Sequence, residues 1–496
     1  MNTTSSQDIS KPSSVFNGSS TIPVWLDGVQ VVLGSTFDVV SPVDGSTLYQ
    51  ASSANEEDVL RAVHSAEASF KTWSKSKPNF RRDIFLRASE LFLNRRKELQ
   101  QYSMTETGTV EAIFSRDLEM AADACKSIAG LIQVASSSSS PVVAEEGSSS
   151  IIYKEPYGVV LGIAPWNAPY VLGVRACLQP LAMGNTVVFK APEAAPATSW
   201  AIGSVLHEAG LPAGCLNTIN HRSEDASRIT NALISHPCIK KINFTGSTAV
   251  GSIIASLAGK YLKSAVMELG GKAPSIICQD ADLELAAFNC AAGAFLNAGQ
   301  ICMSTERILV HSKIYGPFRA AFAKALNGMY CNPQDGGKNL AQLISRQAVE
   351  KNRKLLADAL EKGAGVFWGD ARQDVPNQAQ MHPVVIENIL PDMALYSTES
   401  FGPMVSLHMV KSDEEAIRIA NDTEYGLTSA VFTEDLRRGL RIAKTIETGA
   451  VHINSMSVHD EPALPHGGAK KSGFGRFNGL EGLGEWTRLK AVTWRD

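Results

Sequence analysis

GVVLGIAPWNAPYVLGVRACLQPLAMGNTVVFKAPE, residues Gly158–Glu193, decides the architecture. It opens on an apolar run, Gly158 to Ala164, that is too short for a core helix and carries no polar face. A strand covered on both sides of a sheet has that composition. Pro165 and Pro169 fix a turn, an apolar helical segment runs through Leu181, and Thr186–Lys190 is a second apolar strand. Strand, helix and strand in so short a stretch form a βαβ unit with parallel strands. The alternation continues outward. Ala201–Ala209 reads as helix, Cys215–Asn220 and Lys240–Phe244 as strands, the segment from about Thr248 as helix and Ala265–Leu269 as strand. A second alternating set starts at Pro274–Ile277 and extends to about residue 465. The expected fold is α/β: two doubly wound α/β units with a site in the cleft between them.

Upstream, apolar residues at Val59, Val63, Ala66, Phe70 and Trp73 recur at helical spacing, with Asn55 as cap and Glu56, Glu57 and Asp58 in the first turn. Arg81–Phe92 and the segment before Glu106-Thr107-Gly108 read as two further scaffold helices. Residues 1–22 read as a disordered tail. The serine-rich stretch Ser136–Ser150 reads as a linker, or, with Pro141–Val143 and Ile151–Tyr153, as a protruding β-hairpin whose edge needs a partner.

Composition excludes several classes. The 496 residues hold 46 Lys+Arg against 50 Asp+Glu, a net charge of −4, so nothing draws the chain to nucleic acid. At 44% hydrophobic residues the chain has enough apolar surface for large cores. No run is long and apolar enough to span a membrane, and the polar N-terminal stretch lacks a secretory core. The 8 cysteines are scattered without a CxxC pair, which argues against a zinc site or disulfide framework and for a reducing, cytoplasmic setting. No metal is expected.

Several residues carry chemistry. Phe244-Thr245-Gly246-Ser247-Thr248-Ala249-Val250-Gly251 follows a strand and opens a helix. Gly246 allows the tight turn, Ser247 is a phosphate donor, and Gly251 permits close packing, which suits a phosphate at a helix N-terminus. Lys190 and Glu193 end the second strand, where a dinucleotide fold reads the adenosine ribose. A carboxylate there repels a 2′-phosphate, so Glu193 favours NAD over NADP. Cys302, in Gly299-Gln300-Ile301-Cys302-Met303, is either a reactive thiolate or a buried structural cysteine. Glu268 ends an apolar strand before Gly270 and Gly271, where a carboxylate is costly to bury without a function. Asn167, between Pro165 and Pro169, aims an amide outward in a way that suits an oxyanion hole. Glu399-Ser400-Phe401-Gly402-Pro403 is an acid–aromatic turn.

Taken in order, PWN, FTGSTAVG, MELGGK, GQIC, ESFGP and KKSGFGR resemble the NAD(P)-dependent aldehyde dehydrogenase superfamily from about Trp25 onward. The resemblance implies a Rossmann-like cofactor domain (23–135 and 156–267), a catalytic domain (268–465) and a small β oligomerisation hairpin (136–155 with 480–496) serving a homodimer or homotetramer. It implies Cys302 as nucleophile, Glu268 as general base, and Asn167 with the Cys302 N–H as oxyanion donors. It places the cofactor, NAD more than NADP, against Ile163, Pro165, Trp166, Lys190, Glu193, Gly246, Ser247, Gly251, Glu399 and Phe401. A narrower likeness to the salicylaldehyde, vanillin and benzaldehyde dehydrogenase branch rests on Asn167–Arg175, Gln300–Arg307 and Val458–Pro462. It implies a planar slot formed by Tyr170, Ile301 and Met303, with Arg175 for an anionic ring substituent. An aliphatic or biosynthetic-intermediate aldehyde, or a thiol esterase working without NAD, is the alternative. Ala176 stands where many members carry a lysine, so no lysine role in adenosine binding follows.

Overall fold

The computed structural model describes residues 21–330, 340–372, 375 and 379–495. Most of the expected tail, and Cys331, lie outside them. Thr21–Ile22, counted with the tail above, instead form a strand parallel to Thr47–Ser52.

The first sheet has eight strands. Its central five are parallel, in the order Ser264–Glu268, Ile239–Thr245, Val159–Ile163, Thr186–Lys190 and Leu216–Ile219. The chain starts in the middle at Val159–Ile163, builds outward to Leu216–Ile219, then returns to lay Ile239–Thr245 on the other side, with Phe244 opposite Ile163. Strand order reverses between these two neighbours, so their crossover helices lie on opposite faces. A crevice opens beyond the carboxyl ends, where such sheets hold ligands. A hairpin of Val24–Leu26 and Val29–Val31 closes one edge, and Gly473–Phe474 pairs antiparallel with Met267 and Glu268 at the other.

The helices are capped as their sequences demand. Asn55 accepts from the Glu57 and Asp58 amides while Asp58 accepts from the Asn55 amide, a reciprocal capping box on Glu56–Trp73. Pro169–Ala182 is buried throughout and has no cap of its own; Asp117, on Glu111–Ala135, accepts from the Tyr170 and Val171 amides at 3.0 and 2.9 Å. Glu106 does the same for Pro196–Glu208 through the Ala197 and Thr198 amides. Burial pushes both carboxyls up to about 7 against these hydrogen bonds.

The second sheet has seven strands, in the order Gly365–Gly369, Val384–Glu387, Met404–Val410, Thr305–His311, Ala273–Ile277, Thr428–Phe432 and Ala450–Ile453. Only the first pairs antiparallel. Ser148–Pro156 pairs along its length with Thr487–Arg495, Ile152 opposite Ala491. Of the hairpin expected within 136–155, an isolated antiparallel bridge is formed, Ser139 opposite Ile152, while Pro141–Val143 is not a strand. Its second arm is met by the C-terminal strand, as the resemblance implied. Gly479–Gly484, within the segment expected as strand, is helical. Tyr153, Leu489, Val492 and Trp494 stay exposed on this ribbon. Among the described residues no helix is long and apolar enough to cross a membrane.

Candidate active site

Glu268 is the last residue of its strand in the first sheet, and Cys302 lies in the loop that enters Thr305–His311 of the second. The loop is strained. Asn297, Ala298 and Gly299 take φ of 48°, 59° and 73°, and the two non-glycines cost about 1–3 kcal/mol each. A Cβ at Gly299 would stand 2.1 Å from the Gly402 carbonyl oxygen. Polar side chains pin the loop. Gln300 donates to the carbonyls of Asn297 and Gln342, both at 3.1 Å, and accepts from the Ile344 amide at 2.9 Å. Asn297 donates to the Asn167 carbonyl at 3.1 Å, and the Asn167 amide donates to the Gln300 carbonyl at 2.9 Å. The Asn167 side chain expected to point outward is buried; it lines the cavity below with one hydrogen committed.

Glu268 is 1% exposed, and neither carboxylate oxygen has a hydrogen-bond partner. Such an arrangement is costly and rare in a scaffold. Cys302 is half-buried. Burial pushes its thiol well up, the Glu268 and Glu399 charges push it further, and Arg175 pulls back only in part. The thiol therefore stands beside a base that can take its proton.

An open cavity of about 730 Å³ ends at Cys302. Ile113, Met120, Val171, Leu172, Leu296, Ile301, Met303 and Val458 make its walls apolar. Ile301 and Met303 are where the sequence placed them. Tyr170 is not: it is fully buried between Phe92 and Phe114, and its hydroxyl donates to the Leu99 carbonyl at 2.7 Å. Pro169–Ala182 turns Tyr170 into the core and presents Val171 and Leu172 instead. Arg175 reaches the cavity, but its charge is spent on buried Asp460, and its guanidinium lies 5.4 Å from the Phe477 ring centre. Of the two arginines lining the cavity, Arg116, exposed on Glu111–Ala135, is the one without an ion-pair partner among the described residues.

The carboxyl ends of the first sheet's strands carry the residues expected to hold the cofactor. Gly251 packs where a Cβ would stand 2.4 Å from Leu269. The Gly246 amide donates to the Glu268 carbonyl at 3.1 Å, and Ser247 caps the helix Thr248–Lys260, leaving its hydroxyl hydrogen and the first helical amides for an anion. Val250 and Ile253, missed by the sequence reading, are exposed apolar residues on the first turns of this helix. Lys190 and Glu193 pair at 2.9 Å, and buried His221 stands 3.4 Å from the same carboxylate oxygen. Burial works to raise the Glu193 carboxyl, but the charges of Lys190 and His221 and the Lys190 hydrogen bond outweigh it and hold it below the usual carboxylate range. Ile163 ends the central strand, Pro165 follows, and Trp166 meets Phe401 edge-on at 6.0 Å. Glu399 accepts from the Gly271 amide at 2.8 Å, and burial pushes it up to about 7.

Two further residues explain why this last turn holds its shape. Lys272 and Glu306 form a buried pair at 2.6 Å. Lys272 also donates to the Thr398 carbonyl, and Glu306 accepts from the amide and hydroxyl of Ser400. Both stand inside the quoted motifs, but a lone lysine and a lone glutamate carry no signal of pairing. Among the described residues no group of three or more His, Cys, Asp and Glu side chains stands ready for a metal ion.

The aldehyde dehydrogenase family profile matches residues 30–492. The chain belongs to the aldehyde dehydrogenase family. Vanillin dehydrogenase of Pseudomonas sp. (strain HR199) is 39% identical over 465 residues, 92% of this chain and 94% of that protein. Salicylaldehyde dehydrogenase of Pseudomonas sp. (strain C18) is 37% identical over 471 residues, 95% and 96%. The crystal structure of salicylaldehyde dehydrogenase from Pseudomonas putida G7 with salicylaldehyde superposes with a TM-score of 0.91 at 35% identity, covering 96% of this chain and 98% of that one. The protein is an oxidoreductase acting on aldehydes, with an NAD(P) cofactor. This dehydrogenase fits that group: a strand-order reversal, open amides at a helix start, exposed apolar Val250 and Ile253, and a carboxylate just past the second strand end are the features a dinucleotide needs.

Proposed function

We propose that the enzyme oxidises an aromatic aldehyde to its carboxylic acid with NAD. The observation that carries this reading is the apolar cavity that ends at Cys302 beside unpartnered Glu268. Glu268 takes the Cys302 thiol proton as sulfur attacks the aldehyde carbon. The Asn167 amide and the Cys302 N–H hold the developing oxyanion. When bound beside Trp166, Glu399 and Phe401, the dinucleotide would supply the hydride acceptor for this oxidation. Glu268, once it has shed the thiol proton, takes one from water, whose oxygen attacks the thioester; the carbon–sulfur bond breaks, the acid leaves and the thiolate takes the proton back. Sulfur serves both halves, as a strong nucleophile and as a good leaving group.

Ile301 and Met303 with Val171 and Leu172 favour a flat ring, and Arg116 is the charge available to a phenolate or carboxylate on it. The vanillin and salicylaldehyde dehydrogenase relatives support that substrate class. Trp166 with Glu399 and Phe401 frames the nicotinamide end and Glu193 the adenosine end; the first sheet serves as the cofactor domain and the second as the catalytic domain. The exposed ribbon Ser148–Pro156 with Thr487–Arg495 suits a second copy of the chain in a dimer or tetramer. The seven free described cysteines suit the cytoplasm.

An aldehyde panel assayed with NAD and NADP tests the reading. Hydroxylated benzaldehydes are expected to exceed aliphatic aldehydes of similar length by at least about tenfold in kcat/KM, the worth of one to two well-placed contacts. An aliphatic aldehyde turned over better than every aromatic one overturns it.

A further inference from the structure

Taking the Cys302 thiol proton leaves Glu268 protonated, and it must shed that proton before it can take one from water, yet at 1% exposure with no hydrogen-bond partner it has no direct route to solvent. Cys302 cannot take it, because at that stage its sulfur is in the thioester. One other titratable group faces the carboxylate. His466 is 8% exposed, its Nε2 lies 3.9 Å from Glu268 Oε1, and that nitrogen likewise has no hydrogen-bond partner. Its Nδ1 lies 3.7 Å from Asp460 Oδ1. Asp460 is ion-paired with Arg175 and accepts from Asn478 at 2.9 Å, and these charges hold it ionised, below the usual carboxylate range despite its burial. The backbone is locked: His466 N–H donates to the Phe477 carbonyl at 2.8 Å and Phe477 N–H to the His466 carbonyl at 2.7 Å. The imidazole also lines the cavity.

Resting on the mechanism above, we infer that His466 is a positioning residue that relays the thiol proton from Glu268 to solvent and so readies the carboxylate for deacylation. In the neutral ring the proton faces Asp460 on Nδ1, which leaves the Nε2 lone pair toward Glu268. Once the thioester has formed, Glu268 holds the proton that the Cys302 thiol lost. The Glu268 O–H bond then breaks toward Nε2, through a small turn of the ring or one bridging water. The resulting imidazolium lies between the carboxylates of Asp460 and Glu268 and gives its proton to water in the open cavity, restoring both groups. Charged and titratable groups around the ring are Glu268, Asp460, Arg175, Cys302 and the histidine pair His452 and His459, whose ring centres are 4.7 Å apart.

Hydrolysis of 4-nitrophenyl acetate without any dinucleotide isolates this half of the cycle. Cys302 sulfur displaces nitrophenolate in a burst, and deacylation sets the steady phase. His466→Phe is expected to keep the burst amplitude and to slow the steady phase by about 10- to 100-fold, within the usual worth of a proton-transfer group. His466→Gln keeps the polarity and serves if the phenylalanine variant folds poorly. In both, added imidazole restores the steady phase, and the wild-type dependence on pH near neutrality disappears. A steady phase with wild-type rate and pH profile in either folded variant overturns the relay, as does a loss that imidazole does not restore. Failure of the underlying mechanism is distinguishable: the wild-type enzyme would then show no burst, or Glu268→Gln would deacylate at the wild-type rate.

Discussion

Two buried polar clusters flank Cys302, and they are built on opposite rules. In one, every charge has a place to go. Lys272 bonds Glu306 and the Thr398 carbonyl, and neighbouring Arg307 donates to the carbonyls of Lys272, Ile419 and Ala420 at 3.0, 2.7 and 2.8 Å. In the other, a few residues earlier on the same segment, Glu268 bonds nothing and His466 leaves a nitrogen bare. Full satisfaction at low dielectric locks geometry, and this cluster locks the turn that carries Glu399 and Phe401. A carboxylate with open oxygens stabilises nothing, but it can accept a proton. Satisfaction marks where the chain must stay still, and its absence marks where protons move.

The comparison can be broken in four places. Cys302→Ala leaves both clusters intact; aldehyde oxidation is expected to fall at least about 10⁴-fold, as when a nucleophile is deleted elsewhere, while thermal unfolding shows an unchanged midpoint. Retained turnover would move the chemistry away from this loop. Glu268→Gln is expected to slow deacylation about 10²- to 10⁴-fold, visible as a stopped-flow burst followed by slow turnover, with a midpoint equal to or above wild type. A clear drop in stability would show that the carboxylate has partners after all. Lys272→Met strands Glu306 in the interior and is expected to cost about 3–5 kcal/mol in urea unfolding, the reverse of the Glu268 result. Stability within error of wild type would erase the distinction between the clusters. Glu193→Ala probes an intermediate case, a carboxylate with one lysine partner. Its kcat/KM ratio for NAD over NADP is expected to fall about tenfold, about 1.4 kcal/mol, and an unchanged ratio would mean that Glu193 does not set cofactor choice.

The strand–helix alternation was legible because buried parallel strands are apolar on both faces and their helices have regular length. The same property hid which residues of Pro169–Ala182 face the cavity. With all of them buried, no polar side distinguishes one face from another, so Tyr170 was placed in the slot when Val171 and Leu172 are there. Arg175 was misread for a different reason: its neutralising Asp460 is 285 positions away, and no local pattern reports such a pair. Arg116 sits on a helix read only as scaffold, and His466 sits four residues before the quoted KKSGFGR. Composition showed only one arm of the ribbon; its C-terminal partner came from the resemblance, because no local pattern reports a pairing so far along the chain.

The ribbon and the short strand Gly473–Phe474 also dictate an order of events at the ribosome. Arg488 meets Glu155 across 333 positions, and Ser472 meets the Gly270 carbonyl across 202. The first sheet therefore waits, one edge open, until the whole second sheet has been translated, and Ser148–Pro156 waits longer still. Neither half can be finished as an independent folding unit, and the nascent chain spends that interval with an unpaired strand that other chains can capture. Slow elongation through the second sheet lengthens that exposure, so yield of native enzyme depends on translation speed and on chaperone supply as well as on the stability of the finished molecule.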